Sequence, residues 1–125
     1  MKKKAFKRSR KRFQAVLDKW LKPLGLLWWH IDVFYHQETP DSFKKKRGAI
    51  AAKVVARWKY MEAAIYVNTP AIPGMDDEEL ERVVIHELCH ILVNEMREGE
   101  MHHEERVCTR LAQAFAWVYR EGQCS

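Results

Sequence analysis

Apolar residues in the first part of the chain recur with the spacing of an amphipathic helix. Over residues 5–22 they lie three, four or seven positions apart, which places them on one face of a helix. Pro23 and Gly25 are expected to end it, because proline cannot continue the hydrogen-bond ladder and glycine favours a turn. The pattern predicts an N-terminal helix whose buried face consists of Phe6, Phe13, Val16, Leu17, Trp20 and Leu21.

Three later segments are predicted to be β-strands from their composition or from their alternation of apolar and polar positions. Residues 27–36 are rich in aromatic and β-branched side chains, residues 49–58 alternate again, and residues 63–68 follow after a short break. The short break predicts that the second and third strands form an antiparallel hairpin. Residues 37–48 contain a proline and a lysine-rich run and are predicted to be a loop.

Two further helices are predicted in the second half of the chain. Residues 76–96 begin with acidic residues, and Asp76 is suited to cap the free amides of the first turn, with Glu79 completing a pair typical of a capping box. A polar connection over residues 97–102 leads to a final helix over residues 103–120. The apolar stripe of this last helix consists of Val107, Cys108, Leu111, Ala112, Phe115 and Val118.

These elements fit one α+β domain. A chain of 125 residues has room for a single core, and 47% apolar residues are enough to build it. We expect a sheet of three or slightly more strands packed on two or three helices. Residues 13–125 are predicted to form this domain, and residues 1–12 are interpreted as a basic, partly disordered tail.

The positive net charge of the chain comes from its first residues. Residues 1–12 contain eight lysines and arginines and no acid, so that acidic residues outnumber basic ones in the rest of the chain. Such a run can attract nucleic acid but is more often a solvated face, so nucleic acid is a secondary hypothesis. Three cysteines without a C-x-x-C pair, and no apolar run long enough for a signal or a membrane span, favour a cytoplasmic protein.

The motif with the most chemical content is His86-Glu87-Leu88-Cys89-His90, an H-E-x-x-H in the middle of the second predicted helix. Residues four apart lie one turn apart, so both imidazoles face the same way and can bind one ion, with Glu87 close enough to accept a proton from an activated water. Apolar flanks indicate a helix buried on most sides, where these polar groups need a partner. The motif therefore predicts a zinc site.

A catalytic zinc site needs a third protein ligand. Glu105 lies at the start of the apolar stripe, so its carboxylate is expected to point towards the buried side, whereas Glu104 is rotated by about 100° and is expected to face water. His102 and His103 follow His90 by twelve and thirteen positions, a separation at which other H-E-x-x-H enzymes place a third histidine. Glu105 is the favoured ligand, and the two histidines are the alternative.

With these residues the chain resembles the minimal gluzincins, especially the ImmA/IrrE-like metallopeptidases of phages, mobile elements and bacteria. The resemblance rests on VVIHELCHIL in the second predicted helix, EERVCTRLAQAFAW in the third, and a small sheet that precedes them. It implies a zincin-like domain in which His86 and His90 bind zinc and Glu87 is the general base. It also implies that Glu105, in its E-x-x-C-x-x-L-A setting, is the glutamate ligand.

The SprT-like zincins are the nearest rival family, and they would make His102 or His103 the third ligand. In either family the expected function is zinc-dependent hydrolysis of peptide bonds. An extended substrate peptide is expected to pair with residues 63–68 as an edge strand. The residues considered for stabilising the oxyanion are Tyr66, His36, His102 and Tyr119.

The alternative function is a non-catalytic, zinc-containing binding protein of the same fold that contacts nucleic acid through its basic tail. Glu87 argues against this alternative, because a structural zinc site has little use for a carboxylate next to a ligand. The peptidase is therefore the favoured interpretation.

Overall fold

The computed structural model of the protein describes residues 2–46, 48–94 and 104–124. Within these ranges the chain forms three α-helices, one three-stranded sheet and one two-stranded sheet, which confirms the predicted α+β class. The elements in chain order are α1 (Lys3–Leu21), β1 (His30–His36), β2 (Lys44–Lys45), β3 (Gly48–Ala49), β4 (Ala52–Arg57), β5 (Glu62–Asn68), α2 (Asp77–Leu92) and α3 (Glu104–Cys124).

The larger sheet has the strand order β1-β5-β4. β4 and β5 form the predicted antiparallel hairpin, with Val54 opposite Ile65, and β1 pairs in parallel with the other side of β5, with Val33 opposite Ile65. The expectation that residues 63–68 form an edge strand is therefore wrong. The resemblance to the minimal gluzincins implied an edge strand just before the second helix. The pairing of β5 with β1 spans about thirty residues and has no local signal in the sequence.

The core lies between one face of this sheet and the helices. Alternate residues of β5 face the helices, as the period of a strand requires, and Ile65 and Val67 are completely buried there. α1 covers the core with the predicted positions Phe13, Leu17 and Trp20. α2 is the most deeply buried helix and contributes Leu80, Val84, Ile85, Leu88, Cys89 and Ile91.

Buried polar contacts fix α1 against α2. The carboxylate of Glu81 on α2 accepts hydrogen bonds from the indole nitrogen of Trp20 at 3.2 Å and from Lys19 Nζ at 2.6 Å. These partners offset the cost of burying a carboxylate. Since Glu81 lies on the same helix as the H-E-x-x-H motif, these two hydrogen bonds also help to hold the motif in place.

α1 begins at Lys3, so the segment interpreted as a partly disordered tail is helical over most of its length. The helix runs through the domain boundary that was predicted after residue 12. At that point the guanidinium of Arg12 donates to the carbonyl oxygens of Ile72 and Met75 at 3.3 and 3.0 Å. It also forms an ion pair with Asp77 at 3.2 Å, and these contacts connect α1 to the loop before α2.

Several element boundaries differ from the prediction. The predicted loop over residues 37–48 contains β2 and the first residue of β3, and these two strands pair with each other. Strands of two residues are too short to show alternation. α2 begins as predicted, with the Asp76 side chain accepting from the Glu79 amide at 2.8 Å, and ends at Leu92. Its predicted end at residue 96 lies outside the described residues. None of the described helices is both long and apolar enough to cross a membrane.

Candidate metal centre

The motif lies on α2, and α3 packs against this helix. His86 and His90 are one helical turn apart on α2, and their ring centroids are separated by 4.8 Å. The first turn of α3 brings Glu105 to both rings. Two helices therefore build the site, and their relative position decides which side chains meet.

The ligand atoms of these three residues converge. The Nε2 atoms of His86 and His90 are 3.1 Å apart, and the Glu105 carboxylate lies 3.0 Å from the first and 2.7 Å from the second. A tetrahedral ion with bonds of about 2.0–2.1 Å holds neighbouring ligand atoms about 3.3 Å apart. The observed spacing is close to this value, so the three side chains could hold a metal ion.

Glu104 and Glu105 have the opposite exposure to that predicted. The side chain of Glu105 is 76% exposed, whereas that of Glu104 is 12% exposed. Glu105 extends into an open cleft and reaches both imidazoles there, while Glu104 lies against His90. The apolar stripe begins only at Val107, so it does not define which side of the preceding turn faces the protein.

Glu87 lines the same cleft, which has a volume of about 290 Å³, together with the three convergent side chains. Only 8% of Glu87 is exposed. Burial, together with the negative charge of Glu105, raises the pKa of Glu87 to about 8 in the metal-free protein. A cation at the centre would lower this pKa, because it favours the charged form. The charge of Glu87 is therefore coupled to the presence of a metal.

Burial also affects the motif histidines and the nearby thiol. It lowers the pKa of His86, against the opposing effect of Glu105, and so favours the neutral ring that can bind a metal. It raises the pKa of Cys108 to about 12, so this thiol is protonated at neutral pH. Cys108 is completely buried, as expected for a core residue.

The residues considered for the oxyanion lie away from the cleft where they are described. His36 and Tyr66 stack on each other on strands β1 and β5, with ring centroids 6.2 Å apart. Tyr119 packs against Trp20 at 5.3 Å, on the α1 side of the molecule. His102, like the alternative ligand His103, lies outside the described residues.

Three polar residues that line the cleft were not assigned to it from the sequence, Lys45, Lys53 and Asn94. Asn94 follows His90 by four positions, and this helical spacing was a signal that could have identified it. Its side-chain oxygen accepts from the Trp58 amide at 3.0 Å and so connects the end of β4 to the motif helix. Lys45 lies on β2, and no sequence pattern indicated its position.

The fold and the site together define the class of protein. A small α+β domain with an H-E-x-x-H helix, and with a carboxylate supplied by the next helix, is compatible with a small metallopeptidase. The sequence model of a family described as "Putative phage metallopeptidase" matches residues 5–120. The chain belongs to this family, which indicates a metal-dependent peptidase that acts on proteins or peptides. No curated protein and no solved structure matches the chain.

Proposed function

We propose that the protein is a zinc-dependent peptidase of the gluzincin type, with His86, His90 and Glu105 as zinc ligands and Glu87 as general base. The observation that carries the proposal is the convergence of two imidazole nitrogens and a carboxylate within 3.1 Å. The lone pairs of two unprotonated ring nitrogens and a carboxylate repel one another at such distances unless a cation or a shared proton lies among them. Two histidines and a glutamate are a known ligand set of catalytic zinc.

The chemistry of the site follows from its burial and geometry. When bound, zinc polarises the carbonyl group of the scissile bond and makes a water molecule more acidic. Glu87 accepts a proton from the attacking water and passes it to the leaving amine. Its buried position keeps the carboxylate in the wall of the cleft, next to the ligands and away from bulk solvent.

The edge strand β4 is suited to bind the substrate backbone. The Asn68 amide donates to the Ala51 carbonyl oxygen at 2.8 Å, in register with the β4–β5 ladder. Since hydrogen-bonded pairs alternate along an antiparallel ladder, the backbone groups of Ala52, Val54 and Ala56 point away from β5. The same three residues line the cleft that contains His86, Glu87 and Glu105. A peptide that pairs with β4 therefore passes beside the candidate metal centre.

Metal content tests the ligand assignment. In protein purified without chelator, we expect about one zinc per chain by mass spectrometry. We expect none in His86→Ala, weakened binding in Glu105→Ala, and unchanged binding in His102→Ala and His103→Ala. Loss of zinc in His102→Ala or His103→Ala, with full retention of zinc in Glu105→Ala, would assign the third ligand to that histidine. A folded parent protein that takes up no zinc would overturn the proposal.

Val54→Pro tests the role of β4. The substitution removes an amide that points to the open edge and leaves the hydrogen bonds to β5 intact. We expect kcat/KM for a peptide substrate to fall about 10-fold, as for the loss of one hydrogen bond, and Tm to fall less than in Val55→Pro, since Val54 packs partly against the core but keeps its ladder intact. Val55→Pro is the matched control, because its amide pairs with β5 and its loss lowers Tm. An unchanged kcat/KM in Val54→Pro would contradict substrate pairing with β4.

A further inference from the structure

His86 Nδ1, the outer ring nitrogen that faces away from the candidate metal centre, contacts Thr109. This contact determines which nitrogen of the ring carries the proton. Thr109 Oγ1 lies 3.2 Å from His86 Nδ1, and the same hydroxyl donates to the Glu105 carbonyl oxygen at 2.8 Å. A hydroxyl has one hydrogen, so Thr109 accepts from His86 Nδ1–H. The neutral ring then has no proton on Nε2, and its free lone pair faces His90 and Glu105.

The outer nitrogen of His90 faces two acceptors from α3. Glu104 Oε1 and Cys108 Sγ each lie 3.5 Å from His90 Nδ1. An ionised carboxylate accepts much more strongly than a protonated thiol, so Glu104 is the stronger partner. The Glu104 side chain is only 12% exposed, and a hydrogen bond from His90 Nδ1–H would offset the cost of burying its charge.

We propose that Glu104 and Thr109 are positioning residues that hold both imidazoles with Nε2 towards the metal, an inference that rests on the proposed zinc site. In this arrangement one helix, α3, supplies a ligand and both orienting groups. Glu105 and Thr109 are one turn apart, so the hydrogen bond from Thr109 to the Glu105 carbonyl joins the ligand to the orienting hydroxyl. Such outer partners fix the ring orientation and increase the basicity of the ligating nitrogen.

Zinc affinity, measured by competition with a chromophoric chelator, tests this proposal without any peptidase assay. We expect Glu104→Ala to weaken zinc binding by about 10–100-fold, and Glu104→Gln, which keeps an acceptor but loses the charge, to lie between Glu104→Ala and the parent. Thr109→Val is expected to weaken binding similarly, whereas Thr109→Ser, which keeps the hydroxyl, is expected to retain it. Glu121→Gln, an exposed carboxylate on the same helix, is the control.

The outcomes separate this inference from the proposed function. A parent protein without zinc affinity would contradict the zinc site itself. If the parent protein binds zinc and the zinc affinity is unchanged in Glu104→Ala and Thr109→Val, the zinc site is supported and the positioning role is overturned. If Glu104→Ala lowers the Tm of the metal-free protein, the Thr109 variants decide, because Thr109→Val keeps the shape of threonine and removes the hydroxyl, whereas Thr109→Ser keeps the hydroxyl and removes a methyl group.

Discussion

Glu87→Gln is expected to lower kcat for peptide hydrolysis by about 10²–10⁴-fold while zinc remains bound. Glutamine has the shape of glutamate, so it fills the same buried position beside the ligands, but it cannot accept a proton from the attacking water. The measurement pairs metal content with cleavage of an unstructured protein, in which peptide products are followed by mass spectrometry. The family assignment indicates a peptidase but does not identify its base, so this variant tests the proposed role of Glu87.

Two controls make the result of Glu87→Gln specific. His86→Ala is expected to lose both zinc and peptidase activity, whereas Glu87→Gln is expected to keep zinc and lose activity. Equal cleavage by the parent and by zinc-loaded Glu87→Gln would show that another group is the base. A zinc-loaded parent that cleaves none of a broad set of peptides would instead favour the non-catalytic binding protein.

In the metal-free protein, the free energy of unfolding is expected to fall as the pH rises from 6.5 to 8, by up to about 1.4 kcal/mol per pH unit. The pKa of Glu87 is raised from 4.5 to about 8 in the folded state, so between these values the folded protein holds a proton that the unfolded chain has lost. This stabilisation is complete below pH 4.5 and is lost as the pH passes through 8. The lowered pKa of His86 makes the free energy of unfolding rise with pH, but only below the ordinary histidine pKa of 6.5. Between pH 6.5 and 8 the dependence on pH is therefore assigned to Glu87.

Urea unfolding at several pH values, in the presence of a chelator, measures this dependence. Glu87→Gln is expected to remove most of the slope, because its side chain does not titrate. Added zinc is expected to reduce the slope in the parent, since a nearby cation lowers the pKa of Glu87. A slope that is the same in the parent and in Glu87→Gln would assign it to other groups.

The proposed third ligand, Glu105, shows how much of the site the local sequence pattern could predict. Helical spacing placed His86 and His90 on one face and singled out Glu105 for its proximity to the apolar stripe of α3. The structure brings Glu105 to both imidazoles, but with its side chain exposed, and it places Glu104 in the buried position against His90. The direction of a side chain in the first turn of α3 depends on the neighbouring helix, which the spacing within α3 does not contain.

The sequence by itself determined the elements that depend on neighbouring residues: the buried face of α1, the Asp76 cap of α2, the β4–β5 hairpin and the H-E-x-x-H face. These follow from the periods of helix and strand and from short connections. The tertiary structure alone decided that β5 is central and that β4 borders the cleft. It also decided that Thr109 and Glu104 meet the outer nitrogens of the histidines. Each of these contacts joins segments that are distant in the chain, and its geometry is set by the packing of whole elements.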